Sequence, residues 1–169
     1  MPKKGERSVG VAPQSASALG QTANGQTLVS LTRARGEVPV LIGLRLFLPA
    51  RWTSDLVRLK RAGVPAADRA ARTKPEIALA EIDHVMAAGV RFGGVLADAG
   101  DGLSAPFRQG LTARGLTWAV GLPRHQNVYA ADVTLIFPVA GRGRPRQRPV
   151  PDRLSMAAED VLAAAQWRT

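Results

Sequence analysis

The chain of 169 residues contains no cysteine. That absence excludes a disulfide framework, thiolate catalysis and zinc or iron–sulfur centres ligated by Cys. Histidine is nearly missing as well: His84 and His125 are the only two, too few for a His-built zinc centre. Aromatic residues make up 5%, which counts against a surface that stacks unpaired bases. No apolar run approaches the roughly 20 residues of a membrane span. The longest, Val38 to Leu48, is interrupted by Arg45. The N-terminal Met1-Pro-Lys-Lys-Gly-Glu-Arg7 lacks the apolar core of a signal peptide. These absences together point to a soluble, cytoplasmic protein.

What is present is a foldable, strongly basic chain. Hydrophobic residues make up 46% and charged residues 21%, so enough apolar side chain exists to bury the core of one ordinary domain. Lys plus Arg number 23 against 13 Asp plus Glu, a formal charge of +10. That balance suggests a polyanionic partner, nucleic acid first. The positive charge comes from 19 Arg and only 4 Lys, beside 28 Ala. A coding bias toward Ala and Arg accounts for this as well as phosphate binding does.

Along the chain, residues 1 to 25 show no period and read as loop. Gln26 to Arg33 alternates like a strand, Ala34 to Glu37 offers a turn, and Val38 to Leu48 reads as a longer, well-buried strand ended by Pro49. Ala50 to Arg72 is weakly helical with a break at Gly63-Val64-Pro65. A stronger helix follows, opened by the capping box Thr73-Lys-Pro-Glu76 and closed by Gly89. Ala78, Leu79, Ile82, Val85 and Met86 form its apolar stripe. A short strand then ends at Asp98. Ser104 caps a second helix with Phe107 and Leu111 inward and Gly115 as its stop. Thr117 to Leu122 and Val133 to Phe137 read as strands, Gly141 to Pro149 as a basic connector. A last helix starts near Ser155, with Val161, Leu162 and Ala165 inward. The order predicts an α/β fold with a mixed sheet, part parallel and with an antiparallel edge.

The sharpest local feature is Val95-Leu-Ala-Asp98-Ala-Gly-Asp-Gly102. Ligands and catalytic groups collect at the carboxyl ends of strands in such sheets, and the small glycines leave room for a metal or phosphodiester. Asp98 equally well organises the turn through its own side chain. Asp101 reads as a solvated turn residue, and Glu76 and Asp83 as solvated acids on one helix face. His84 reads as a surface residue, and His125, after a strand end, as a weak phosphate candidate. Ser8, Ser15 and Ser17 have no His/Asp partner set around them. Arg142, Arg144, Arg146 and Arg148 place four charges in seven positions and suit a DNA backbone, or are simply a solvated linker. Arg51, Arg58, Lys60 and Arg61 read as a solvent-facing charged helix surface.

Lys3-Lys4-Gly5, Ser8-Val-Gly-Val11, Leu19-Gly20, Ala23-Asn24 and Gln26 to Leu31 form the start of an ordered series. Arg45-Leu-Phe-Leu-Pro49, Trp52, Asp55, Ala62-Gly-Val-Pro65, Thr73-Lys-Pro-Glu76 and Leu96-Ala-Asp-Ala-Gly100 continue it. The series resembles the DDE endonuclease domain of bacterial insertion-sequence transposases, in the insertion sequence 701-like group. The resemblance implies a ribonuclease-H-like fold and a function in DNA cleavage and strand transfer during transposition. It further implies two Mg²⁺ ions held by three acids, a localisation with the nucleoid, and DNA and another transposase chain as partners. Residue by residue, only Asp98 matches, as the second acid and a metal ligand. Lys3 and Lys4 match a motif near the DNA, and Asp101 stands where the family commonly has tyrosine.

The positions of the first and third acids have no counterpart between Met1 and Thr169. The expectation is therefore a partial catalytic core at 1–140 lacking its first, central strand, a basic Arg/Pro/Gly linker at 141–151, and the start of a further helical segment at 152–169. On this reading the polypeptide is a transposase fragment, inactive alone, with two unpaired strand edges. The rival readings are a basic DNA-binding accessory module without catalysis, and an unrelated α/β hydrolase using Asp98.

Overall fold

The computed structural model describes residues 3–5, 7–16, 20–137 and 148–165. They form two compact units, Met1–Ala97 with Ser104–Ala119, and Asp98–Leu103 with Val120–Thr169.

The first unit opens with an antiparallel pair, β1 (Ala12–Ala16) and β2 (Gln21–Gly25), where the sequence reads as loop. Neither segment alternates polar with apolar residues, so no period betrays the strands. The pair is held by backbone bonds and by Gln14, whose Nε2 donates to the Gly25 carbonyl at 3.0 Å and whose Oε1 accepts from the Thr27 hydroxyl. Pro13 is tolerated because both strands of a two-stranded ribbon are edges.

The predicted hairpin follows as β3 (Leu28–Arg35) and β4 (Val38–Leu46), joined at Gly36-Glu37. Gly36 has φ of 66°, as the first position of a type II′ turn requires. The register shifts between Leu31 and Thr32, leaving Ile42 as the extra residue of a bulge. β4 departs from expectation in its burial. Val38 is 68% exposed, and Val40, Leu41 and Leu44 are exposed too. An apolar strand is buried only where another layer covers it, and β3 and β4 pair only with each other among the described residues.

After Pro49 the weakly helical stretch resolves into α1 (Ala50–Thr53), α2 (Leu56–Arg61) and a 3₁₀ turn at Ala66–Asp68. Asp55 caps α2 by accepting from the Arg58 N–H at 2.8 Å, and Gly63, with φ of 73°, supplies the break. Trp52, Leu59 and Val64 form a buried cluster, with Val9 and Leu48 against it. The Trp52 indole N–H donates to the Val11 carbonyl at 2.8 Å, so its polar edge is satisfied where only 1% of the residue is exposed.

α3 (Lys74–Ala87) starts at the predicted capping box. Glu76 Oε2 accepts from the Thr73 N–H at 2.6 Å, and the Thr73 hydroxyl accepts from the Glu76 N–H at 3.3 Å. Its buried face is Ile77, Glu81, Ile82 and Val85, rotated from the predicted stripe so that Met86 is exposed. α3 packs on β3, β4 and α5 (Ala105–Ala113). α5 begins and ends as predicted, at Ser104 and Gly115, with Phe107 and Leu111 buried. Gly110 lies so close to α3 that a Cβ there would stand 2.6 Å from Leu79 Cδ1. β5 (Val95–Ala97) pairs with β6 (Trp118–Val120), and the Val95 N–H donates to the Thr117 carbonyl at 2.9 Å.

The second unit contains α4 (Ala99–Gly102), the antiparallel pair of β7 (Asn127–Val128) and β10 (Met156–Ala157), the pair of β8 (Leu135–Ile136) and β9 (Val150–Pro151), and α6 (Ala158–Ala164). Asp152 ties the second pair together, accepting from the Thr134 N–H at 3.0 Å and hydroxyl at 2.6 Å. Val161, Leu162 and Ala165, predicted to face inward, are exposed. The whole is a mixed α/β structure. Where the sequence predicts one mixed sheet, the described strands pair two by two in five small sheets. Among the described residues no helix is long and apolar enough to cross a membrane.

Trp52→Ala should cost about 3–5 kcal/mol of stability, whereas Trp52→Phe should lose only about 1 kcal/mol with the indole hydrogen bond. Urea unfolding at unchanged m-value measures both, and an Ala variant within experimental error of the parent would contradict the anchoring role.

Candidate functional site

Asp98 sits where the sequence places it, directly after β5. Its backbone is extended (φ −75°, ψ 177°), and its Oδ1 accepts from the Gly100 N–H at 2.8 Å and the Asp101 N–H at 3.2 Å. The residue is exposed and caps the short turn of α4. One carboxylate oxygen thus performs the turn-organising role that the sequence leaves open beside the catalytic one.

The glycines around it serve packing. A Cβ on Gly102 would stand 2.2 Å from the Gly121 carbonyl oxygen, and one on Gly121 would stand 3.0 Å from the Ala99 nitrogen. Gly102 is buried by this backbone-to-backbone approach, so its missing side chain does not open the acid to a ligand. A Cβ on Gly100 would come within 3.1 Å of Asp98 Oδ1.

Most other acids are engaged elsewhere. Glu81 pairs with Arg45 at 2.8 Å, Asp132 with Arg153 at 2.8 Å, and Glu159 with Arg124 at 3.9 Å. Asp83, predicted as solvated, receives both Nε and Nη2 of Arg114 at 2.6 Å. That bidentate pair holds the Asp83 carboxyl below its ordinary range and the Arg114 guanidinium above its own. Bonds from the Thr73 backbone and hydroxyl lower Glu76, and bonds from the Thr134 hydroxyl and backbone lower Asp152. Among the described residues no group of three or more Asp, Glu, His or Cys is placed to hold a metal ion. The described side chains therefore do not fit the carboxylate-built two-magnesium site that the resemblance implies.

The predicted DNA contacts fall only partly among the described residues. Lys3 and Lys4 are exposed, and the Lys3 N–H is tied to the Asn24 carbonyl at 2.8 Å. Arg148 is exposed, while Arg142, Arg144 and Arg146 lie outside the described residues. His84 and His125 are exposed, as is Ser8; Ser17 and the Ser15 side chain lie outside the described part of the chain. To the predicted charged surface of Arg51, Arg58 and Arg61 the fold adds an arginine that the sequence reading does not include. Arg7 joins Arg51, Arg58 and Arg61 around a single concavity of the first unit. The signal for it is divided between a loop and two helices, so no linear motif carries it.

A family model described as DDE superfamily endonuclease matches residues 1–169. Comparison with curated proteins and with solved structures returns no match.

Asp98→Ala should accelerate hydrogen exchange at the Gly100 and Asp101 amides and cost about 1 kcal/mol locally, while Asp98→Asn, which keeps an accepting oxygen, should leave both amides protected. Equal protection in all three proteins would refute the capping role. For Asp83 the folded pKa is depressed, so its stabilisation is complete above the unfolded carboxyl value of about 3.9. It is lost as pH falls through the lower folded value. Because the pair is half exposed, the effect should be ~0.3–1 kcal/mol. Asp83→Asn should flatten the acid limb of the stability–pH curve by that amount, and an unchanged limb would contradict the pairing.

Proposed function

The chain belongs to the DDE superfamily endonuclease family, whose members are transposase-type nucleases acting on DNA, and from that membership we propose an origin in insertion-sequence transposition. The match over the whole chain carries the reading. In it, Asp98 occupies the place of the second catalytic acid, at a strand end before a turn. Lys3, Lys4, Arg142, Arg144, Arg146 and Arg148 supply contacts to DNA phosphates. The succession of antiparallel hairpin, helix, strand, helix and strand supports a ribonuclease-H-like plan.

A second reading concerns activity, and one observation favours it. The acids Glu81, Asp83, Asp132 and Glu159 are each drawn into an ion pair with arginine, and no carboxylate cluster forms among the described residues. With a formal charge of +10, this polypeptide has what DNA-backbone binding needs, while its described residues assemble no carboxylate centre for hydrolysis. It acts on its own as a DNA-binding module without strand-transfer activity.

Two experiments test these readings. Supercoiled plasmid incubated with the 169-residue protein and Mg²⁺ or Mn²⁺ should remain intact, as it should with Asp98→Ala. Metal-dependent nicking that disappears in Asp98→Ala would overturn the inactive assignment and confirm the acid. Replacing Arg142, Arg144, Arg146 and Arg148 with Gln should make the log K against log salt plot shallower by about 0.9 for each phosphate no longer neutralised. An unchanged plot would remove that segment from the interface.

A further inference from the structure

Arg7, Arg51, Arg58 and Arg61 border one open cavity of about 860 Å³ on the first unit, with Trp52 and Asp55 in its wall. Among the described lining residues Asp55 is the only acid, and its Oδ1 accepts the Arg58 N–H to cap α2. The described wall therefore carries four guanidinium groups against one carboxylate. Its elements are anchored from beneath. Trp52 and Leu59 are buried in α1 and α2, Trp52 is tied to the Val11 carbonyl, and Val9, two residues after Arg7, packs on the same cluster.

The chemistry favours phosphates over bases. The Arg58 guanidinium lies 3.8 Å from the Trp52 ring centroid, and Trp52 is 1% exposed. The one aromatic ring of the wall is thus covered by a cation and closed to a stacking base. Guanidinium groups converge from a loop and two helices and match phosphate oxygens with planar, paired donors. We infer that this cavity is a binding site for the phosphodiester backbone of duplex DNA, contacted without base readout. The inference rests on the family's action on DNA and concerns residues other than Lys3, Lys4 and the 142–148 arginines proposed above.

Fluorescence anisotropy of the full chain with labelled duplex DNA across a salt series tests it. The triple variant Arg7→Gln, Arg51→Gln, Arg61→Gln spares the Arg58–Trp52 stack. It should make the slope of log K against log salt shallower by roughly two to three, equally for unrelated duplex sequences. The matching triple Lys variant, which keeps the charge, should retain the parent slope. A parent slope in the Gln variant would overturn this site and leave the family reading standing, as would an equally shallow slope in the Lys variant. Failure of the parent chain to bind duplex at low salt would overturn the DNA reading and the site together.

Discussion

The first unit is organised around one buried charge. Glu81 lies on the inner face of α3, 6% exposed, among Ile77, Ile82 and Val85. A carboxylate so placed is tolerable only with a partner. Arg45 of β4 provides it, donating from Nε to Glu81 Oε1 at 2.9 Å and holding Nη2 2.8 Å from the same oxygen as an ion pair, while its Nη1 reaches Asp68 at 3.3 Å. Glu81 in turn holds the Arg45 guanidinium charged beyond its ordinary range. One arginine thereby joins the hairpin, the long helix and the 3₁₀ turn. Gly43 belongs to the same constraint. A Cβ there would stand 3.2 Å from both Glu81 Oε2 and Leu31 Cβ, so a side chain at that position would make those neighbours give by a few tenths of an ångström. No buried side-chain nitrogen or oxygen among the described residues is left without a hydrogen bond.

Local chemistry is what the sequence discloses best. Thr73 with Glu76, Ser104, Gly36, Gly63, Gly89 and Gly115 each demand a particular backbone geometry of their immediate neighbours, and each stands at the predicted boundary. Burial is less legible because it depends on what lies opposite. Val38 to Leu44 is apolar enough for a core strand, yet only Ile42 and Gly43 within it are partly buried. Glu81 lies outside the predicted apolar stripe, and its burial depends on a partner thirty-six positions earlier. β1 and β2 are invisible to periodicity because their composition does not alternate.

The residues of the proposed function divide along the same line. That Asp98 ends a strand is readable from eight consecutive residues. What surrounds it is set by distant positions, among them Gly121, which packs on the turn and gives Gly102 a structural purpose. The four cavity arginines are spread from position 7 to position 61, and only folding brings Arg7 to the other three.

The balance between holding and cutting turns on whether Asp98 assembles a metal centre within this chain. Titrating Mn²⁺ into the metal-free protein, with paramagnetic broadening of each backbone amide followed by nuclear magnetic resonance, addresses it directly. The structure predicts no saturable broadening centred on Ala99 to Gly102 at micromolar metal. Saturable, localised broadening there, lost in Asp98→Ala, would contradict the account.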